Sequence, residues 1–409
     1  LLYRRLPCDN VTPVNQREIP FSGKLTATCA GGLEETLAAE LRECGYEDVT
    51  PQRGAVGFAG GAEEMIRANL ELRTASRVLV VVSETPIRDY DGVYKAVRRV
   101  PWERILQPEQ YFAVSATATM KDIRDQRFLV MKIKDGIVDR QRDRTGRRSS
   151  VDRNRPDLMV VGYAGDGSFV LSIDSSGAPL HERGYRTEAG EAPLRETLAA
   201  GLLRLARWQP GIPFFDPFCG SGTIAIEAAL IARDIAPGLV RPGYAFERWT
   251  GFSHRDRMEV QELLTPDPLV PDLLEPPSPG EAVAPPQIFC SDIDSRMIEI
   301  ARRNATRAGV IDYIQFETAD FFERERPVRE GTPGVIVTNP PFGERMTVED
   351  LKQMYRRIGE TLKERYGGWR AHVLGSDREA AKSFGLRIST RIPVYNGAID
   401  CRLYGMDLF

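Results

Sequence analysis

The chain holds 409 residues, with 55 Lys or Arg against 58 Asp or Glu and a formal net charge of -3. That length predicts two or three domains, and the near-neutral balance excludes a uniformly basic nucleic-acid binder while leaving room for a local basic patch. Six scattered cysteines without a C-x-x-C pair, and only three histidines, support neither a disulfide framework nor a zinc site, so no metal and a reducing cytoplasm are expected.

The opening "LLYRRLPCDN" lacks the apolar core and cleavage site of a signal peptide, and no apolar run approaches the roughly 18 to 20 residues of a membrane span. Residues 1–20 are set apart as an extension. From Lys24 a strand leads into a helix with Leu33, Leu37, Leu41 and Cys44 on one face and Gly45 at its end. "AVGFAG" and "RVLVVVSE" read as strands around a helix from Ala62 to Leu72, and a small α+β part is expected over 21–64. A second set over 65–176 has the strand "YFAVSATAT", the helix "RFLVMKIKDGIVDRQRDRTG" and two strands around the Gly165-Asp166-Gly167 turn. Between Lys121 and Arg155 stand twelve Lys or Arg against six Asp, which is either a solvated helix face or a phosphate-contacting surface.

Beyond Leu194 long strands and helices alternate, the pattern of a parallel sheet. "PFFDPFCGSGTIAIEAALIA" is a strand, a glycine turn and a helix, a nucleotide-binding order, although G-S-G-T is not the G-x-G-x-x-G of a pyrophosphate grip. The Pro-rich stretch 263–287 should be an exposed insertion. A strand from Ile288 then ends in Asp292, where an acid can accept both hydroxyls of a ribose, with Ile293 able to flank an adenine. "IQFETADFF" ends in Asp320, placed to accept from an adenine amine, with Phe321 beside it. Either Asp taken alone reads more simply as a helix cap or surface acid. The apolar residues Val335, Ile336 and Val337 run into Asn339, Pro340, Pro341 and Phe342, a stiff non-helical exit from a strand.

In order, D-P-F-C-G-S-G-T, S-D-I-D, A-D-F and N-P-P-F-G-E-R resemble a class I S-adenosylmethionine-dependent methyltransferase of the N-P-P-[FY] amino group. The chain is more closely similar to the bacterial THUMP-domain enzymes that make N2-methylguanosine in large-subunit ribosomal RNA, the RlmL-like family. "GGLEETLAAEL", "VDRNRPDLMVV", "GYRTEAGEAPLRETLAAGLL", "PGLVRPGYAFERW" and "YNGAIDC" extend the likeness over nearly the whole chain from Lys24. The Pro-rich insertion departs from the pattern, and so does the end of the chain after one methyltransferase domain, where some relatives fuse a second. The resemblance implies an α/β protein: a Rossmann-like methyltransferase domain over 177–409 with a mostly parallel seven-stranded sheet, behind a ferredoxin-like part and a THUMP RNA-binding domain. It implies that Asp216, Cys219, Gly220 and Gly222 bound the methionine of S-adenosylmethionine, with Asp292 at the ribose and Asp320 at the adenine amine. Pro193 and Thr197 would close over the methionine end.

On the same resemblance, Asn339 and the Pro340 carbonyl hold the two N–H bonds of an exocyclic amine while Phe342 stacks on a base that is unpaired or flipped out. Lys132, Arg142, Arg144, Arg147 and Arg148 would contact RNA phosphates, and Arg345 would meet RNA or pair with Glu344. The open alternatives are a transfer RNA guanine-N2 enzyme, a DNA adenine-N6 enzyme, a non-catalytic RNA-binding assembly factor and a nicotinamide dehydrogenase.

Overall fold

The computed structural model describes residues 22–187, 194–264, 287–341 and 347–409, which divide into two compact units. Among the described residues the first draws on 22–28, 38–180 and 241–264, the second on 29–37, 181–187, 194–240, 287–341 and 347–409. The expected extension 1–20 lies outside the described residues, as does the Pro-rich stretch apart from its two ends.

In the first part of the chain β1 (Lys24–Thr28), α1 (Glu34–Glu43), β2 (Thr50–Gln52), β3 (Ala55–Ala59), α2 (Ala62–Glu71) and β4 (Arg77–Pro86) come first. They are followed by α3 (Tyr90–Arg99), α4 (Trp102–Ile105), β5 (Tyr111–Ala118), α5 (Gln126–Thr145), β6 (Ser150–Val151), β7 (Leu158–Gly165) and β8 (Ser168–Asp174). The two α+β sets read from the sequence share one eight-stranded sheet, ordered β2-β3-β1-β4-β8-β7-β5-β6, because the ten-residue β4 pairs with β1 on one side and β8 on the other. The β7–β8 hairpin turns through Asp166 and Gly167 at φ of 50° and 76°, the pair of positive values that a two-residue turn matched to strand twist requires. The basic helix α5 starts at Asp125, whose carboxylate accepts from the amides of Arg127 and Phe128, and stops at Gly146 in the left-handed region.

The later elements are α6 (Glu196–Leu205), β9 (Phe214–Asp216), α7 (Thr223–Ala232), α8 (His254–Leu264, counted with the first unit), β10 (Ile288–Asp292), α9 (Ser295–Arg307) and β11 (Ile314–Thr318). β12 (Val335–Thr338), α10 (Val348–Arg365), β13 (Arg370–Gly375), β14 (Ile388–Asn396) and β15 (Ile399–Asp407) close the chain. Seven strands form a sheet ordered β11-β10-β9-β12-β13-β15-β14, parallel through β13 and antiparallel at β15 and β14. A parallel sheet must be covered on both faces. Phe214, Cys290, Val335 and Val337 accordingly join the core with α6, α7 and α9, whereas Phe215, Phe289 and Ile336 join a second core with Leu351, Tyr355, Ile358 and Leu362 of α10. Strand order reverses about β9, so the ends of β9, β10 and β12 border the crevice where such sheets take ligands.

Candidate active site

At the end of β9, Asp216 is almost fully buried, and its Oδ1 accepts from the Thr338 hydroxyl at 2.7 Å and the Phe218 amide at 3.3 Å. Burial pushes this carboxyl up to about 7, against the lowering effect of those two donors, with a small further rise from Asp292. Thr338 is the last residue of β12, directly before Asn339, so this bond ties the ends of the two strands at the reversal point together.

The glycine loop is strapped to its neighbours. The Cys219 amide donates to the Ser291 carbonyl at 3.0 Å, the Gly220 amide to Asp292 Oδ2 at 2.9 Å, and Asn304 Nδ2 to the Ser221 carbonyl at 3.1 Å. Gly222 has φ of 83°, and a Cβ there would come within 2.9 Å of Ala301 Cβ, so α9 packs directly on its backbone. Gly220 has φ of 52°, and a Cβ there would meet only the Met297 methyl at 3.9 Å. The first glycine therefore leaves open space above the loop and the second lets the neighbouring helix close beneath it.

Asp292 Oδ1 accepts from the Asp294 amide at 3.0 Å, and Asp294 in turn caps α9. Ile293 between them is 71% exposed, a large apolar side chain left bare beside a carboxylate. Asp320 follows the neighbouring strand β11 and accepts from the Phe322 amide at 2.9 Å. Asp216, Gly220, Gly222, Asp292, Ile293 and Asp320 thus gather at one edge of the sheet. Two expected neighbours turn inward. The Phe321 ring lies within an aromatic cluster with Phe215, Phe218 and Tyr366, because the chain bends after Asp320 and directs this position into the core. The Cys219 thiol is buried against Cys290, whose hydrogen bond together with burial holds it well above the ordinary thiol value, so this residue reaches the site through its backbone alone. Thr197 is buried in the first turn of α6, which packs on α7. Pro193, Phe342 and Arg345 lie outside the described residues.

Asn339 carries the most informative atom. Its Oδ1 is buried and has no hydrogen-bond partner among the described residues, while Pro340 is buried and Pro341 exposed. A buried, unsatisfied acceptor costs about 1 to 3 kcal/mol, a cost that a donor supplied from outside would relieve. Together with the open space over Gly220 and the bare Ile293, this oxygen leaves an acceptor, a carboxylate-flanked loop and an apolar side chain uncommitted along the ends of β9, β10 and β12. Among the described residues no cluster of three or more His, Cys, Asp or Glu side chains is arranged to hold a metal ion.

The expected RNA-contacting residues fall on or after α5. Lys132 Nζ lies 5.7 Å from the Tyr94 ring centre and 5.4 Å from that of Phe128, Arg142 pairs with Asp139 at 3.6 Å, and Arg147 with Glu109 at 2.7 Å. Arg144 and Arg148 are exposed and in no ion pair among the described residues. Lys95, Arg98 and Arg99 of α3, outside the stretch singled out in the sequence, line an open groove of about 580 Å³ with Tyr94, Arg140, Asp143 and Arg144, where Arg98 pairs with Asp143, Lys95 with Asp91 and Arg140 with Glu103. Sequence reasoning also missed Thr338, whose only local signal is a hydroxyl ending an otherwise apolar strand.

Three family models match this chain: an RlmL ferredoxin-like domain over residues 24–79, a THUMP domain over 88–174, and an RMKL-like methyltransferase domain over 183–405. A Synechocystis sp. protein provisionally named as an RNA methyltransferase is 37% identical over 94% of this chain and 96% of its own length. Ribosomal RNA large subunit methyltransferase K/L of Shewanella amazonensis is 37% identical over 92% of this chain, and that of Syntrophotalea carbinolica 38% over 94%. The chain spans about half the length of these K/L proteins, 52% and 53%. The crystal structure of SMU.472, provisionally a methyltransferase, in complex with SAH superposes with a TM-score of 0.78 at 31% identity, covering 94% of this chain and 98% of that one. A Listeria monocytogenes protein provisionally described as an N6-adenine-specific DNA methylase superposes with a TM-score of 0.79 at 32% identity, covering 94% and 96%.

Proposed function

Since the chain belongs to the RMKL-like methyltransferase family and uses S-adenosylmethionine as its cofactor, we propose that it methylates the exocyclic N2 amine of a guanine in large-subunit ribosomal RNA. The observation that carries the acceptor chemistry is the buried, unpartnered Oδ1 of Asn339 at the end of β12. The choice of RNA is supported by the THUMP match and by the exposed cations around α5, and that of ribosomal RNA by the names of the K/L relatives.

An exocyclic amine is a weak nucleophile because its lone pair is delocalised into the ring. Asn339 Oδ1 and the Pro340 carbonyl accept its two N–H bonds, so that the nitrogen rehybridises with its lone pair directed away from both acceptors. These contacts strengthen as positive charge develops on the nitrogen, which is where a preorganised acceptor lowers a barrier. Pro340 and Pro341 hold the backbone stiff, and little reorganisation accompanies the reaction. Bound S-adenosylmethionine would supply an electrophilic methyl with a neutral leaving group, and the acidic proton of the resulting methylated, positively charged nitrogen is lost to water after transfer, so no strong general base is needed.

Asp292 accepts the ribose hydroxyls, Ile293 covers the adenine, Asp320 accepts from the adenine amine, and the loop from Cys219 to Gly222 leaves room for the methionine part. Asp216 is a positioning residue, acting through Thr338 on the start of the N-P-P loop. Phe342 stacks on the target base, Pro193 and Thr197 close the methionine end, and Arg345 meets RNA. Lys132, Arg142, Arg144, Arg147 and Arg148 contact phosphates and bring a distant nucleotide into the crevice.

The name of the Listeria relative favours adenine N6 as the second reading, since the same two acceptors serve either amine. Nucleoside mass spectrometry separates them: the protein, a labelled methyl donor and unmodified ribosomal RNA, transfer RNA or DNA are incubated in parallel. N2-methylguanosine in large-subunit ribosomal RNA is expected. N6-methyladenosine, or product in transfer RNA or DNA alone, would overturn the substrate assignment.

A further inference from the structure

Gly31 and Gly32, Arg195, and the turn from Tyr395 to Gly397, drawn from three of the sequence stretches singled out above, come together in the second unit around the tip of the β14–β15 hairpin. Gly31 and Gly32 lie against the outer edge of β14. The Tyr395 amide donates to the Gly31 carbonyl at 3.1 Å, and a Cβ at Gly31 would sit 2.9 Å from the Tyr395 ring. Gly32 has φ of 88°, and a Cβ there would fall 2.1 Å from the Pro393 carbonyl, so no other residue allows this approach. Arg195, at the start of α6, reaches over the turn, with its Nη2 3.7 Å from where a Cβ on Gly397 would be. The packing covers a free sheet edge. It also holds the Tyr395 ring against backbone on one side while 41% of the residue stays exposed.

The hairpin overhangs the catalytic edge of the sheet. Thr338 is level with Val373, and Val373 with Tyr404, while Tyr395 pairs with Asp400, four residues further toward the open end. At ~3.3 Å per residue and ~4.8 Å per strand, the Tyr395 platform stands about 13 Å above the level of Thr338 and about 14 Å to its side. That is too far to touch the reacting base and within reach of the strand that carries it. Asp400, directly opposite Tyr395, is paired with Arg378 at 3.5 Å and Arg402 at 3.4 Å, and Arg195 near the turn is exposed and in no ion pair among the described residues, so cations outnumber the one carboxylate at the hairpin tip.

We propose that the hairpin tip, with Tyr395 held against Gly31 and Arg195 reaching over the adjoining turn, is a stacking platform for a nucleobase of the substrate RNA a few positions from the methylated one. The proposal rests on the reading of the substrate as RNA. A ring already braced by backbone and still partly exposed loses little freedom when a base stacks on it.

The test uses the full chain and an unmodified large-subunit ribosomal RNA transcript. Tyr395→Ala should weaken RNA binding about 5- to 150-fold, the range for one lost base–aromatic stack, and leave S-adenosylmethionine affinity unchanged, which also reports that the variant is folded. Tyr395→Phe and Tyr395→Trp should bind within about threefold of wild type. The added indole of Tyr395→Trp should be quenched by RNA and not by an abasic ribose-phosphate oligomer of equal length. Arg195→Glu, a surface change, should lower affinity and flatten its salt dependence. Wild-type RNA affinity in Tyr395→Ala, or an equal loss in Tyr395→Phe, overturns the platform alone. A wild-type chain that binds no RNA overturns the reading of the substrate, and the platform with it.

Discussion

Asp216→Asn isolates the electrostatic cost of the link between β9 and β12. The substitution keeps an Oδ1 to accept from Thr338 and the Phe218 amide, and it removes the ability to ionise. The wild-type carboxyl is pushed from the ordinary 3.8 up to about 7 by burial, a gap that corresponds to at most about 4 kcal/mol at ~1.4 kcal/mol per tenfold in proton affinity. The sign follows from proton counting. Between pH 3.8 and about 7 the folded chain keeps a proton that the unfolded chain has released, so the contribution of this group to stability falls as pH rises through that window. Below the window both states are protonated, and above it both are ionised with the full cost in place. The stability of Asp216→Asn minus that of wild type should therefore grow by as much as about 4 kcal/mol between pH ~4 and ~8. Urea unfolding of both proteins at matched pH values measures the difference, and a flat difference across the range would show that the Asp216 carboxyl does not titrate upward on folding.

Asp292→Ala removes the proposed ribose acceptor together with the partner of the Gly220 amide, and calorimetry should show S-adenosylmethionine affinity lowered about 10- to 100-fold, as expected for lost charged hydrogen bonds; unchanged affinity would remove Asp292 from the site. On the RNA side, Arg144→Glu with Arg148→Glu should weaken binding more than Arg142→Glu with Arg147→Glu, because the latter two are already paired with Asp139 and Glu109. A salt titration checks this, each lost phosphate contact lowering the slope by about 1, and equal affinity in all variants would identify the α5 cations as a solvated face.

The strand ends of the site were legible because strands buried on both faces read as apolar runs that stop at a polar residue, as at Phe214–Asp216, Ile288–Asp292 and Val335–Thr338. The glycine turn was legible for a similar reason, since Gly220 and Gly222 stand where left-handed backbone is required. The Asp216–Thr338 bond spans 122 residues of sequence and left no local trace. Nor did the pairing of β4 with β8, which merges two α+β sets into one sheet. Phe321 shows a different limit: period-two reasoning ends with the strand at Thr318, and the bend that follows decides which way the ring points. The pairing of Arg142 with Asp139 was readable from helical spacing, whereas that of Arg147 with Glu109 came only with the fold.

Asn339 tests the central claim most directly. Its Oδ1 is buried with no partner among the described residues, and the account gives that atom work only as charge develops on the amine. In single-turnover methylation of unmodified ribosomal RNA, Asn339→Ala should transfer the methyl group about 10²- to 10³-fold more slowly than wild type, with S-adenosylmethionine and RNA affinities nearly unchanged. Transfer at the wild-type rate would make the N-P-P loop a structural turn and contradict the mechanism.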